Sequence, residues 1–197
     1  LAPLRQAWML SRIRVRLAEY PAIGETVSVA TWPSGFEHLF ARREFRFSTP
    51  RLGEFARASS GWLLVDVDKM RILPSERLYG KIIPSGETPE RIFQELDKLT
   101  PAKQDDTNTE TRKIQPTQID INGHLNSIKY IEHILDLLPK ERFQERSPRR
   151  LEIAYKTEAY MGDRLSFYVQ QGEESNEMEV EVRKNESEIA CQAKICF

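Results

Sequence analysis

The sequence predicts an α+β fold in which antiparallel strands are arranged around an apolar helix. Three observations carry that reading. Period-2 alternation recurs in both halves of the chain, one stretch near residues 126–138 follows helical spacing, and turn signals separate the alternating segments.

In the first half, Arg12-Ile13-Arg14-Val15-Arg16-Leu17 alternates charge and aliphatic side chains, placing three arginines on one face of a strand. Val27 and Val29 continue the pattern. Arg43, Phe45 and Phe47 share one face of a further strand. Trp62-Leu63-Leu64-Val65, within residues 55–67, suits a strand covered on both sides. Tyr20-Pro21, Gly24, Pro33-Ser34-Gly35 and Thr49-Pro50 punctuate these segments, so residues 1–71 read as an antiparallel sheet of about four strands.

Residues 72–110 contain Pro74, Pro84, Pro89 and Pro101 and a wholly polar run at 104–109. They are expected to form a linker with one short helix, starting near Thr88-Pro89 and running through Ile92, Phe93, Leu96 and Leu99. Residues 111–197 hold the stronger helix. Asn126 is its expected N-cap, Ile128, Ile131, Ile134, Leu135 and Leu138 follow helical spacing, and Pro139 closes it after about 13 residues, or roughly 20 Å. Four alternating segments follow: Leu151/Ile153/Tyr155, Leu165/Phe167/Val169, Met178/Val180/Val182 and Ile189/Cys191/Ala193/Ile195. A strand, an apolar helix and four antiparallel strands that can curl around it describe the hot-dog fold.

Composition narrows the function. With 29 basic and 30 acidic side chains the net charge is −1, which leaves no basic footprint for nucleic acid. No apolar run approaches the roughly 18 residues that span a membrane, and no secretory signal is visible. Cys191 and Cys196 lie five apart on one strand, too far for a disulfide, and read as packing residues of a reducing cytoplasm. His38 and His133 lack acidic or cysteine neighbours at ligand spacing, so no metal is assigned; no phosphate-binding glycine loop appears, and no cofactor is expected.

The segment richest in chemistry is Ile119-Asp120-Ile121-Asn122-Gly123-His124-Leu125-Asn126, read as joining a strand to the start of the apolar helix. Asp and Asn before a helix are commonly capping or turn residues, and a lone His is usually structural. Placement before the apolar helix of a sheet-rich domain favours function. A helix N-terminus offers unsatisfied N–H groups to a developing oxyanion. A carboxylate there can activate water, and His124 can donate or shuttle a proton.

Asp120-x-Asn122-Gly123-His124-Leu125-Asn126-x-x-Lys129-Tyr130 resembles the signature of the acyl-ACP (acyl carrier protein) thioesterase family of plants and bacteria. Residues 151–159, Leu-Glu-Ile-Ala-Tyr-Lys-Thr-Glu-Ala, resemble its second motif. Trp8-Met9-Leu10-Ser11-Arg12, Tyr20-Pro21-x-x-Gly24-Glu25, Thr31-Trp32-Pro33 and Ala58-Ser59-Ser60-Gly61-Trp62 agree as well. The resemblance implies tandem hot-dog domains, the first setting chain length and the second catalysing hydrolysis of fatty acyl-ACP with Asp120, Asn122, His124 and Glu158. Against the family pattern Leu1 falls in the second strand of the first hot-dog, so its opening strand and central helix are expected to be absent. Many plant members carry Cys after the catalytic Glu; here Ala159 stands there, which leaves carboxylates, His and water. A covalent acyl-Asp120 route remains open.

The implied partner is an acyl carrier protein bearing a fatty acyl chain. Acyl-CoA hydrolysis and non-catalytic acyl binding are the alternatives, although a pure binder has no need of two carboxylates beside an apolar pocket. Hot-dog sheets often pair, so a homodimer is an open expectation. The cytoplasm is the expected location, or an organelle if a targeting segment has been removed. The arginine stripe of residues 12–16 reads as a solvated face, with carrier docking the less favoured role. Trp8, Trp32 and Trp62 read as core packing before tunnel lining.

Overall fold

The structure, a computed structural model, describes residues 6–69, 71–74, 89–96, 98–99, 110–138, 146–172 and 174–197. The chain divides into two units, Leu1–Asp97 and Lys98–Phe197.

In the first unit, β1 (Gln6–Leu17), β2 (Ser28–Glu37), β3 (Phe40–Thr49) and β4 (Gly53–Asp66) form an antiparallel sheet in the order β2-β3-β4-β1, and short β5 (Arg71–Leu73) also pairs with β4. Residues directly opposite one another share a sheet face. Register sets Arg12 and Arg42 opposite Gly61, and Arg14 and Glu44 opposite Ser59, so one face of this sheet is charged. Val15 and Phe45 both face Ala58 on the other, apolar side.

The charged face is not simply solvated. Residues 89–96 lie across it. Arg12 donates to the Leu96 carbonyl at 2.9 Å and its guanidinium sits 4.7 Å from the Phe40 ring. Arg14 stacks 4.6 Å over Phe93, while Arg16 is exposed. Arg42 donates to the Phe93 carbonyl at 3.0 Å, and the Trp32 indole donates to the Glu90 carbonyl at 2.9 Å. Gly61 leaves the room this requires: a Cβ there would meet Leu96 Cδ1 at 2.9 Å. The expected short helix is absent from residues 89–96, which run as a bent, irregular strap. Its carbonyls and N–H groups are taken by side chains of the sheet, and these tertiary bonds outweigh local helix preference. Thr88 and the polar run 104–109 lie outside the described residues.

Trp32 and Trp62 therefore act within this unit, Trp62 donating to Ser60 Oγ at 2.8 Å. Trp8 departs from the packing expectation and is exposed.

The second unit contains β6 (Glu110–Lys113), a 3-10 turn (Pro116–Gln118), α1 (Ser127–Leu135), β7 (Arg150–Tyr155), β8 (Arg164–Gln171), β9 (Glu177–Lys184) and β10 (Glu188–Cys196). The sheet is antiparallel in the order β7-β10-β9-β8-β6. The four alternating segments expected after the helix are β7 to β10. Register aligns Ile153, Ala193, Val180 and Val169 in one row across the sheet.

Asn126 caps α1 as expected, its Oδ1 accepting from the Ile128 N–H at 3.0 Å, an arrangement worth about 1 kcal/mol. The helix runs nine residues rather than about 13. Beyond Leu135 the chain tightens into three-residue turns, with Leu137 N–H on the Ile134 carbonyl and Leu138 N–H on that of Leu135, so Leu138 is still buried. Pro139 lies outside the described residues. Tyr130 and Ile134 form the buried stripe of α1.

His133 sits on the same helix against Phe167, its Nδ1 3.2 Å from the Arg112 guanidinium and its Nε2 2.9 Å from the Gln118 amide. Burial, and then the Arg112 charge, hold its pKa below the ordinary 6.5, against the opposing pull of Asp136 and Glu132. The folded state therefore binds fewer protons than the unfolded chain. The stability this preserves is complete above the unfolded value and declines as pH falls from there through the lower folded value. Thermal melting between pH 7.5 and 5 is expected to show a drop in Tm on the acid side that is smaller in His133→Gln. An equal drop in the variant removes His133 as its source.

Candidate active site

The segment 119–126 is a closed loop, built after the 3-10 turn rather than at the end of a strand. A bridge between Ile119 and Leu125 ties its two ends. Asp120 organises the interior: its Oδ1 accepts from the N–H groups of Asn122 at 2.8 Å and His124 at 3.2 Å. Its carbonyl accepts from Gly123, and its N–H donates to the His124 carbonyl at 2.8 Å. Gly123 adopts φ 84°, a left-handed conformation that glycine reaches without steric cost.

A second bridge, between His124 and Tyr160, brings the segment after β7 alongside this loop. The Leu125 N–H donates to the Ala159 carbonyl at 2.7 Å. His124 Nε2 consequently lies 3.4 Å from Glu158 Oε2. Tyr160 completes the cluster. Its hydroxyl donates to the same Glu158 oxygen at 3.0 Å, and its ring meets the imidazole edge-on with centroids 5.1 Å apart. Lys184 Nζ donates to the Glu158 carbonyl at 3.2 Å and ion-pairs with Glu188 at 3.0 Å.

Of the four residues singled out from the sequence, His124 and Glu158 are in direct contact. Asp120 touches His124 through the backbone. Asn122 sits exposed at the loop tip, and its side-chain amide makes no hydrogen bond among the described residues. Tyr160 and Lys184 were not evident from sequence. The signal for Tyr160 was its place two residues beyond Glu158, which in extended chain puts both side chains on one side.

The helix start offers fewer oxyanion donors than a free N-terminus would. The N–H groups of Asn122, Gly123, His124, Leu125 and Asn126 all donate within the unit, and those of Ile128 and Lys129 turn back to Asn126. Within 122–129, the Ser127 N–H is the one left without a partner among the described residues. The expectation that several helix-start amides hold an oxyanion narrows to that donor, because the loop's own closure consumes the rest.

Both thiols are held in their protonated form. Cys191 is fully buried, which pushes its pKa well above the usual thiol range. Cys196 is half-buried beside Glu177 and is pushed up to about 11. Ala159, the residue after Glu158, is 1% exposed. No helix of the described residues is long and apolar enough to cross a membrane.

Comparison with known proteins identifies the family and the fold. Residues 1–77 match the family model of the acyl-ACP thioesterase N-terminal domain, and residues 101–197 that of the C-terminal domain. An acyl-ACP thioesterase of Bacteroides thetaiotaomicron, solved by crystallography, is 34% identical; the match covers 98% of this chain and 76% of that one, with a TM-score of 0.81. The 12:0-ACP thioesterase of Umbellularia californica shares the fold with a TM-score of 0.81 at 18% identity, covering 98% of this chain and 75% of that one. The chloroplastic palmitoyl-acyl carrier protein thioesterase of Cuphea hookeriana is 29% identical over 157 residues, 77% of this chain, which spans only 38% of that protein's length. The fold is the hot-dog fold of these neighbours, and the chain belongs to the acyl-ACP thioesterase family.

Proposed function

We propose that the protein hydrolyses fatty acyl-ACP to free fatty acid and ACP, with Glu158 as general base. The observation that carries the proposal is the contact of His124 and Glu158 beside the Asp120 loop, at the start of the apolar helix of a thioesterase fold. In this reading a water held by the Glu158 carboxylate gives it a proton and attacks the thioester carbonyl carbon. The oxyanion of the tetrahedral intermediate is met by the Ser127 N–H and the Asn122 amide. On collapse the C–S bond breaks, and the departing thiolate takes a proton delivered through His124. Both Asp120 hydrogen bonds from the loop go to one carboxylate oxygen, which supports a role in shaping the loop over one as water-activating base or covalent nucleophile. The proposal places the chain in the aqueous compartment, cytoplasm or organelle interior, that holds its carrier.

The test is fatty acid release from acyl-ACPs of graded chain length, run beside the matching acyl-CoAs. Release from acyl-ACP at the higher kcat/KM is expected. Release from acyl-CoA alone reassigns the carrier, and tight retention of acyl chains with no release across the panel points to a binding protein.

A further inference from the structure

We infer that Tyr160 is a positioning residue that holds the Glu158 carboxylate in line with His124, an assignment that rests on the hydrolase reading above. The tyrosine makes two contacts at once: its hydroxyl reaches Glu158 Oε2 at 3.0 Å, and its ring packs at right angles to the His124 imidazole. That oxygen is also the one nearest His124 Nε2, at 3.4 Å. One side chain thus fixes the bearing of both others.

Tyr160 is itself firmly anchored. Its backbone pairs with His124, its N–H donates to Asp163 Oδ2 at 2.9 Å, and its carbonyl accepts from the Asp163 N–H at 3.1 Å. Asn185 holds the other Asp163 oxygen at 2.9 Å. Tyr160 is 46% exposed, so it contributes little to the core, and an anchored tyrosine at that exposure is explained by its two partners. Its hydrogen bond to the carboxylate raises the phenol pKa above the ordinary value of about 10, at which the hydroxyl is already a donor at neutral pH.

The charged and titratable groups facing the pair are His124 from the loop, Asp163 from the following turn and Lys184 from β9, whose ammonium lies 5.9 Å from the Tyr160 ring and is itself paired with Glu188. Losing the phenol leaves the Glu158 carboxylate free to rotate away from His124.

The experiment compares unmodified protein, Tyr160→Phe and Glu158→Gln with the acyl-ACP released fastest. Tyr160→Phe is expected to melt like the unmodified protein and to lose about tenfold in kcat with KM within about twofold. An unchanged kcat in Tyr160→Phe, with the unmodified protein active and Glu158→Gln inactive, overturns the role of Tyr160 alone. Absence of release by the unmodified protein overturns it together with the hydrolase reading.

Discussion

Glu158→Gln is expected to fold normally and to lose about 10²- to 10⁴-fold in turnover, the range general-base groups contribute. The amide has the shape of the carboxylate. Its oxygen still accepts the Tyr160 hydroxyl, and the backbone carbonyl of residue 158 still accepts Lys184, so nothing that holds the segment in place is removed. What disappears is the capacity to take a proton from water. Turnover at saturating acyl-ACP, with Tm measured in parallel, separates the two. A variant with unchanged Tm and near-normal kcat removes Glu158 from the chemistry and shifts attention to Asp120. For Asp120→Asn the reading here is milder: the amide oxygen can still accept the N–H groups of Asn122 and His124, so the loop persists and the loss is expected to be smaller than for Glu158→Gln.

The second large effect concerns stability in the first unit. Glu44 and Arg42 are fully buried and paired at 3.3 Å. Glu44 also accepts from Ser34 Oγ at 2.5 Å, from Ser59 Oγ and from the Ile92 N–H, while Arg42 reaches Glu37 and the Phe93 carbonyl. Glu44→Ala leaves a buried guanidinium short of one counter-charge, two hydroxyls without their acceptor, and the strap without one of its anchors. Breaking a buried pair from one side costs about 3–5 kcal/mol. Glu54→Ala on the same sheet breaks partly exposed pairs with Arg46 and Arg57 and is expected to cost no more than about 1 kcal/mol. Urea unfolding of both variants checks the contrast, and equal losses would show that burial does not set the strength of these pairs.

Much of the architecture was legible because it rests on local chemistry. Alternation marked the strands of both sheets, since one buried face fixes period 2 regardless of what covers it. Asn126 announced the start of α1 because a cap is satisfied within two residues. The strap at 89–96 was not legible. Ile92, Phe93 and Leu96 have helical spacing, and only the distant Arg12, Arg42, Trp32 and Gly61 make a bent path preferable. The arginine stripe was misread for the same reason: strict alternation locates a face but does not say what lies on it. At the site, the motif pointed to the loop, and Glu158 came from family resemblance. That loop amides are consumed internally depends on Gln118 and Ala159, which close the loop from outside the motif. Tyr160 required knowing that the chain after β7 bridges His124 at Tyr160.

The strap also fixes where this chain can be recombined. Residues 89–96 follow the part matched by the N-terminal family model, yet their partners lie on β1 to β4. A breakpoint near residue 77 would graft a foreign strap onto Gly61, Arg42 and Glu44, whereas one placed after residue 96 transfers the sheet with its own cover. Hybrids that exchange first halves among relatives are best cut at the later position.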